Sequence, residues 1–264
     1  MSSKNIPLVS VIMNCYNGEK YLKKSLKSVL LQSYKNWEII FWDNLSTDNT
    51  FKIVKSIKEK KIKYYKSKIF LSLYDARNLA LKKAKGKYIS FLDSDDTWYK
   101  DKLKYQVQFS EKNKDFLIQY SNFFLKNEIK KKNQIMYKKN LRSGKITQDL
   151  LNNYSMGLLT IFLNKSLFKK YKFNDKYNII GDFDFFIKLS QKYKIAYNKK
   201  PLATYRVHKS NYHTSNLNKY ILELKNWINK NDIVLKNKNY SLLSVKYLLL
   251  KIKVKLFIKR FLGM

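Results

Sequence analysis

The amino-acid sequence predicts an α/β fold in which a mostly parallel sheet is flanked by helices. Residues 8–13 (LVSVIM) and 37–42 (WEIIFW) are short apolar runs followed by polar turn residues, a pattern that predicts buried strands. Between them, apolar residues recur at helical spacing from Tyr21 to Leu30. Strand, helix and strand in this order form the repeating unit of a parallel sheet.

This alternation continues to residue 92. Helical spacing recurs at residues 47–57 and 74–84, and strand-like runs cover residues 62–65 and 88–92. Alternating strands and helices favour a sheet that is covered on both faces. After residue 100 the rhythm changes, and the remaining predictions are strands at 116–126 and 156–163, a lysine-rich mobile loop at 126–140, and helices at 181–192 and 218–235.

The composition favours a self-sufficient domain with a strongly basic surface. The chain has 264 residues, is 45% hydrophobic and carries a formal net charge of +36. Nearly all of the positive charge is lysine, since only four arginines occur. Proteins that read base edges rely on the arginine fork, so we expect no nucleic-acid partner.

The sequence also predicts a cytoplasmic location. A single cysteine, Cys15, cannot form an internal disulfide. No apolar run approaches the roughly 20 residues that span a bilayer. Residues 1–12 lack the basic-then-apolar order of a signal peptide.

A basic and apolar segment, residues 244–262, lies near the end of the sequence. On a helix, Lys246, Lys253 and Arg260 fall on one line, with apolar residues across much of the remaining surface. Such a helix either lies on an anionic membrane or packs on the domain with its lysines in water. The alternating residues KIKVK within it also fit a strand, so both secondary structures stay open.

Three carboxylates are crowded into residues 93–96, directly after the predicted strand 88–92. Ligands of open α/β sheets bind at the carboxyl ends of the strands, so this is the expected place for a site. In an extended chain Asp93 and Asp95 would face together while Ser94 faces away. A divalent cation such as Mg²⁺ or Mn²⁺, bound with a nucleotide diphosphate, would relieve their repulsion. The alternative is a turn in which one Asp caps a helix.

Two further residues are predicted at the same sheet edge. Asp43 ends the second strand, where a carboxylate can accept hydrogen bonds from a base or a ribose. The alternative for residues 43–50 (DNLSTDNT) is helix capping by Ser46 or Asp48. Arg77 precedes the apolar positions of the third helix, where its guanidinium would hold a phosphate or a base, unless it is only an exposed helix charge.

Taken together, these motifs resemble the inverting family 2 glycosyltransferases with the GT-A fold. The resemblance extends from residue 7 to about residue 215. It is based on five stretches in the family's order: VSVIMNCYNGEKYL, DNLSTDNT, ARNLALKKAKGKYISFLDSDDTW, GDFDFFIKL and YRVHKSN.

The resemblance implies roles for individual residues. The implied substrate-binding residues are Tyr16, Asn17, Glu19, Asp43, Arg77, Asp93, Ser94, Asp96, Trp98 and Asp184. Asp93 is expected near the ribose, and the implied ligands of a Mn²⁺ or Mg²⁺ cofactor are Asp95, Asp93 and His208. Asp182 is implied as the base that deprotonates the acceptor hydroxyl, and Asp184 is expected to orient the helix or the acceptor.

The sequence departs from the usual family pattern at four positions. Asn14 and Lys100 stand where proline is frequent, and Asn44 stands where a second aspartate is commoner. Gly181 replaces a glutamate that usually precedes the catalytic aspartate.

The resemblance also implies the reaction and the partners. A sugar would pass with inversion from a nucleotide-diphosphate sugar, a UDP-sugar first of all, to a hydroxyl of a glycan or lipid-linked acceptor. Cell-surface polysaccharide or lipid-linked glycan synthesis is the expected setting, and an anionic membrane surface is a further expected partner of the basic C-terminus. The protein would then be cytoplasmic and peripheral at the inner face of the cell membrane. A sugar nucleotidyltransferase and a non-catalytic nucleic-acid-binding protein are the alternatives.

The expected domain organisation follows from the extent of the motifs. Residues 1–215 would form the GT-A domain, with a nucleotide-binding half at 1–100 and an acceptor-binding half at 101–215. Residues 216–264 would form a basic helical extension.

Overall fold

The structure is a computed structural model, and it describes residues 6–209 and 211–261. The first half contains, in chain order, β1 (Val9–Cys15), α1 (Glu19–Leu30), β2 (Trp37–Asp43), α2 (Thr50–Ser56), β3 (Ile62–Lys66), α3 (Leu73–Lys83), β4 (Tyr88–Phe91) and β5 (Thr97–Trp98). The second half contains α4 (Lys102–Lys112), β6 (Ile118–Asn127), β7 (Lys132–Ile135), α5 (Thr147–Asn152), β8 (Phe162–Asn164), α6 (Gly181–Ser190), β9 (Ile195–Val207), α7 (Tyr212–Ser215), α8 (Leu217–Lys236) and α9 (Leu243–Phe261).

The described strands form one mixed sheet in the order β3-β2-β1-β4-β8-β6-β9-β5, with β7 added beside β6. β1 pairs in parallel with β2 and with β4, and β2 pairs in parallel with β3. β8 is antiparallel to both β4 and β6 and therefore separates the parallel first half from the mixed second half. The predicted α/β fold and its mostly parallel sheet are confirmed.

The sheet is buried because its strands are apolar on both faces. Every residue of β1 and of β2 is buried. Ile12 and Ile40 belong to a core cluster on one face with residues of α3, α5, α6 and α8. Val11 and Ile39 belong to a second cluster on the other face with residues of α1 and α4. Helices on both faces are what a doubly buried parallel sheet requires.

Two predictions in the second half were wrong, and one long strand was missed. The predicted loop at 126–140 contains the hairpin of β6 and β7. The predicted strand at 156–163 is mainly a 3₁₀ turn, Leu158–Thr160, followed by the short β8. A short apolar run is compatible with either form when it is buried all round. The 13-residue strand β9 was not predicted, because its polar centre breaks the alternation and its pairing with β6 is interrupted by register shifts.

The C-terminal helices pack against the sheet domain. Trp227 of α8 is buried in the main core and its indole N–H donates to Asp184 of α6 at 2.9 Å. The expected boundary at residue 215 therefore does not coincide with a break in packing.

α9 is a helix, which excludes the strand alternative for the segment, and it buries Val245 and Ile252 against the domain. Leu262 and the side chain of Arg260 lie outside the described residues. Within the described part of the chain, no helix combines the length and the apolar character needed to cross a bilayer.

Glu223 of α8 is predicted to stabilise the loop that leads into α6. Its buried carboxylate accepts three main-chain N–H groups, from Asn178 at 2.8 Å, Ile179 at 2.9 Å and Ile180 at 3.2 Å. Glu223→Ala leaves these donors without their acceptor and should lower the free energy of unfolding by about 1–3 kcal/mol. Chemical unfolding measures this, with Lys225→Ala, an exposed change on the same helix, as the control. Equal midpoints for the two variants would contradict the prediction.

Candidate active site

The candidate site lies where the carboxyl ends of β1, β2 and β4 meet. Tyr16 and Asn17 follow β1, Asp43 ends β2, and Asp93 follows β4 by two residues. Because these strands are parallel neighbours, their carboxyl ends share one edge of the sheet. The structure thus brings these residues to one edge of the sheet, and their role in binding stays a prediction.

Residues 93–96 form a turn rather than the extended segment that we expected, because the Asp96 main-chain N–H donates to the Asp93 carbonyl at 3.2 Å. The side chains accordingly have different partners. Asp93 Oδ1 accepts from Arg77 Nη2 at 3.0 Å, and Asp95 Oδ2 lies 2.9 Å from His208 Nε2. Each of two carboxylates in the acidic turn is therefore paired with a basic group from another element.

Asp96 is the buried member of the turn, with 1% of its surface exposed. Its Oδ1 accepts the main-chain N–H of Arg206 at 2.8 Å. Burial first, and then the charges of Asp95 and Asp93, raise the pKa of Asp96 well above its usual value. Three carboxyl groups so close together favour a nearby cation.

The end of β9 holds the acidic turn through a network that the sequence did not predict. Arg206 Nε donates to the Asp95 carbonyl at 2.8 Å, and its guanidinium pairs with Glu128. Tyr21 donates its hydroxyl to Glu128 at 2.8 Å, and its ring lies 4.9 Å from that of His208. The network joins α1, β6 and β9 to the turn.

Arg77 is buried, which corrects the expectation that it is an open phosphate ligand. Its side chain is 3% exposed, and its guanidinium lies 5.1 Å from the centre of the Tyr74 ring. The guanidinium forms an ion pair with Asp93, with Nη2 3.0 Å from Oδ1. Arg77 thus stabilises the acidic turn through its ion pair with Asp93. The alternative, that Arg77 is only an exposed charge on a helix, is excluded as well.

Three further residues of the predicted nucleotide pocket differ in their exposure and contacts. Tyr16 is 52% exposed, and its ring makes an edge-to-face contact with Phe70 at a centroid distance of 4.8 Å. Asp43 is fully buried and accepts from the Ser46 N–H and the Tyr64 hydroxyl. Asn17 has a positive φ of 51° and its Oδ1 accepts the Thr47 N–H, so it shapes the turn after β1.

Four predicted site residues have contacts that suit a structural role. Glu19 accepts from Asn49 at the start of α2. The Ser94 hydroxyl lies beside Gly18, next to the Cys15 thiol. Trp98, which was expected to bind substrate, is instead a buried core residue whose indole N–H donates to the Leu159 carbonyl at 2.9 Å. Asp184 binds Trp227 and Lys188, which favours the helix-orienting role over contact with the acceptor.

Asp182 lies at the start of α6, partly buried between two tyrosines. Its Oδ1 accepts the Phe183 N–H at 2.9 Å and the Tyr74 hydroxyl at 3.0 Å, and its Oδ2 lies 3.4 Å from the Tyr154 hydroxyl. Burial raises the pKa of Asp182, although the Phe183 N–H and the charge of Arg77 oppose the shift. A carboxylate with a raised pKa is suited to proton transfer near neutral pH.

Gly181 is explained by the ring of Tyr74. A Cβ atom at position 181 would lie 2.4 Å from two carbon atoms of that ring, closer than atoms can approach. Tyr74 is 3% exposed and packs on Phe173, so the ring cannot move aside cheaply. The space that a glutamate side chain at 181 would need is therefore filled by Tyr74, which also binds Asp182.

The side chains at the acidic turn fit a divalent cation that binds together with a diphosphate. Within the described residues, no three His, Cys, Asp or Glu side chains converge as a full ligand set. Asp95 Oδ2 and His208 Nε2 lie side by side, while the Asp93 carboxylate is engaged by Arg77. Mg²⁺ is commonly bound by one or two carboxylates plus phosphate oxygens, and carboxylates also suit Mn²⁺. A partial protein set of this kind is what such a cation needs.

Comparison with known proteins identifies the family. The model of the family described as glycosyl transferase family 2 matches residues 10–190, more than half of the chain. The chain belongs to glycosyl transferase family 2. The match covers the acidic turn and Asp182 and stops short of β9, which contributes Arg206.

A family 2 relative with an assigned reaction is similar over much of the chain. It is the Escherichia coli protein WfgD, named as a UDP-Glc:α-D-GlcNAc-diphosphoundecaprenol β-1,3-glucosyltransferase. The two are 39% identical over 167 residues, which are 63% of this chain and 64% of WfgD. The chain thus spans less than two thirds of that relative's length.

Solved structures of transferases share the fold. Staphylococcus aureus TarS (residues 1–349) in complex with UDP-GlcNAc superposes with a TM-score of 0.63 at 19% identity, over 84% of this chain and 66% of that one. The Pyrobaculum calidifontis mannosyltransferase PcManGT, in complex with GDP-Man and Mn²⁺, superposes with a TM-score of 0.65 at 15% identity, over 99% of this chain and 77% of that one. The GT-A fold expected from the sequence is confirmed.

The contact between Gly181 and Tyr74 predicts that Gly181→Ala destabilises the protein, which is the opposite of the usual effect of this change in a helix. Gly→Ala in a helix ordinarily stabilises a protein by up to about 1 kcal/mol. Here the added methyl group overlaps the Tyr74 ring, so Gly181→Ala should lower the free energy of unfolding by about 1–3 kcal/mol. Urea unfolding decides between the two signs, and a stabilised variant would show that the ring moves freely.

Proposed function

We propose that this protein is an inverting glycosyltransferase that moves a sugar from a UDP-sugar to the hydroxyl of a lipid-linked glycan. The observation that carries the proposal is the acidic turn, in which Asp93, Asp95 and Asp96 crowd the sheet edge where β1 and β2 also end. Membership of family 2 supports glycosyl transfer over the nucleotidyltransferase and nucleic-acid-binding alternatives.

The donor's diphosphate belongs beside the acidic turn. A Mn²⁺ or Mg²⁺ ion held there by Asp95 and His208 would neutralise charge on the departing diphosphate. Arg77 holds the carboxylate of Asp93. Arg206 donates its side-chain Nε–H to the Asp95 carbonyl and its main-chain N–H to the Asp96 carboxylate. These contacts hold the main chain and the carboxylates of the acidic turn in place, which lowers the cost of ordering the site when it binds the donor.

Asp182 acts on the acceptor. It takes the proton of the acceptor hydroxyl while the hydroxyl oxygen bonds the anomeric carbon from the face opposite the diphosphate. The bond between the anomeric carbon and the diphosphate oxygen breaks, and its electron pair leaves with UDP. Attack from the opposite face inverts the configuration at the anomeric carbon.

The acceptor class follows from the relative and from α9. WfgD is named for transfer to GlcNAc-diphosphoundecaprenol, a lipid-linked acceptor. α9 exposes one apolar stripe whose members recur three or four residues apart. It consists of Leu243, Tyr247, Leu250, Val254, Phe257 and Phe261. This is the apolar stripe of α9.

Lysines border the apolar stripe on both sides. On a helix of 3.6 residues per turn, Lys246 and Lys253 lie along one flank, and Lys251 and Lys255 lie along the other. The opposite side of α9, with Val245 and Ile252, already packs on the domain. An exposed apolar stripe between rows of lysine fits the surface of an anionic membrane. The protein would thus meet its lipid-linked acceptor at the membrane.

Asp182→Asn should remove the base and leave nucleotide binding intact. We expect turnover to fall about 10²- to 10⁴-fold while UDP affinity changes little. In the native protein kcat/KM should fall with decreasing pH through a pKa above that of an ordinary aspartate, because only ionised Asp182 accepts the proton and burial raises its pKa. UDP release from a panel of UDP-sugars, with a GlcNAc-diphosphate acceptor on a short lipid, measures turnover and its pH dependence.

The matched control for this prediction is Asp175→Asn, an exposed aspartate a few residues before α6. It should transfer sugar at the native rate. Native turnover by Asp182→Asn would reject Asp182 as the base.

The apolar stripe should decide membrane binding. We expect cosedimentation with vesicles that contain phosphatidylglycerol, weaker binding to phosphatidylcholine vesicles and a further loss at high salt. Leu250→Ser, Phe257→Ser and Phe261→Ser together should weaken binding at least about tenfold, since each removes apolar burial in the bilayer.

The control for the membrane experiment is the double change Ile129→Ser and Met136→Ser. These exposed apolar residues lie on or beside the hairpin of β6 and β7. Equal binding by the stripe variant and the native protein would contradict a membrane role for α9.

A further inference from the structure

The two carboxylate oxygens of Asp182 have unequal environments. Oδ1 accepts two well-formed hydrogen bonds, from the Phe183 N–H at 2.9 Å and from the Tyr74 hydroxyl at 3.0 Å. Oδ2 has one long contact, 3.4 Å from the Tyr154 hydroxyl. A hydrogen bond donated to a carboxylate oxygen stabilises its charge, so Oδ1 is held and Oδ2 is the more available acceptor.

Tyr74 is held rigidly by its surroundings. Its ring touches the backbone side of Gly181, where a Cβ atom would lie 2.4 Å away, and lies 5.4 Å from the ring of Phe173. The Arg77 guanidinium lies over the same ring at 5.1 Å. With 3% of its surface exposed, the side chain cannot turn its hydroxyl away from Asp182 without repacking the core.

We propose that Tyr74 is a positioning residue that binds Oδ1 of Asp182 and so leaves Oδ2 as the oxygen that takes the acceptor's proton. The inference rests on the proposed function. It also gives Gly181 a purpose, because a side chain at that position would exclude the Tyr74 ring. Gly181 and Tyr74 thus act as one unit in this chain.

The proton balance agrees with this assignment. The acceptor's proton passes to Oδ2, which leaves Asp182 neutral while the new glycosidic bond forms. Tyr74 stays protonated throughout, because burial, followed by the charge of Asp182, raises the pKa of its hydroxyl well above the usual value. Its hydroxyl therefore remains a donor to Oδ1 before and after the transfer.

The pH dependence of Asp182 is set by several groups besides Tyr74. Arg77 on α3 opposes the rise in its pKa, and Asp93 in the acidic turn is a carboxylate coupled to it by charge. The charge of Asp182 in turn raises the pKa of three tyrosines that face it: Tyr154 after α5, Tyr205 on β9 and Tyr220 on α8. Tyr74→Phe leaves all of these in place. A change in the pH profile of that variant therefore reports the lost hydroxyl.

The test compares Tyr74→Phe with Tyr88→Phe. Tyr88 is also buried and also donates to a carboxylate, Glu111, but it lies at the amino end of β4, away from the site. For the best donor of the UDP-sugar panel, Tyr74→Phe should lower kcat about tenfold or more and leave KM for that donor within about twofold. Loss of the donor to ionised Asp182 should also move the acid limb of kcat/KM to higher pH.

Each outcome is decisive. Tyr88→Phe should keep the native kcat and the native acid limb. Native kcat in Tyr74→Phe, or a lower kcat with an acid limb that does not move, would show that Tyr74 only packs and would overturn the positioning role. A native protein that transfers no sugar from any UDP-sugar would reject the proposed function instead, and the role of Tyr74 with it.

Discussion

The repulsion between the carboxylates of residues 93–96 is the constraint on which the site depends. Negative charges on these neighbouring side chains repel one another, and burial adds to the free-energy cost of ionising Asp96. The chain meets that cost with three groups from distant parts of the sequence: Arg77 on Asp93, the Arg206 N–H on Asp96 and His208 on Asp95. Because two of these come from β9 and the segment after it, the geometry of the acidic turn depends on contacts with the second half of the fold.

The same dependence applies to Asp182. Its helix, α6, begins after a loop whose N–H groups bind Glu223 of α8, and its carboxylate is bound by Tyr74 of α3. A residue expected in a C-terminal extension therefore helps to place the proposed base. Residues of α8 belong to the main core cluster. The domain and the helices that follow it therefore pack as one body around the site.

Sequence patterns predicted what depends on local order and left out what depends on distant contacts. The strands and helices up to β4 follow from apolar periodicity, and the sheet-edge rule placed Asp43 and Asp93 correctly. The sequence also pointed to His208, which lies beside Asp95. Side chains of neighbouring residues in a motif can point to different sides of the chain. Trp98 was therefore expected at the ligand with the rest of its motif, but it lies in the core. Arg77 was expected on a phosphate because a buried pair with Asp93 has no local signal. The departure at Gly181 was visible in the sequence, but its reason, the ring of Tyr74, is a contact between α3 and α6.

The most direct test of the account is the thermal unfolding midpoint of the protein with UDP, measured with and without Mn²⁺. A ligand that binds only the folded state raises the midpoint. The account predicts a clear rise with UDP and Mn²⁺ together, a smaller one with UDP alone, and loss of the Mn²⁺-dependent part in Asp95→Asn. An unchanged midpoint in every combination, or an equal Mn²⁺-dependent rise in Asp95→Asn, would contradict the claim that the crowded carboxylates serve a cation and a diphosphate.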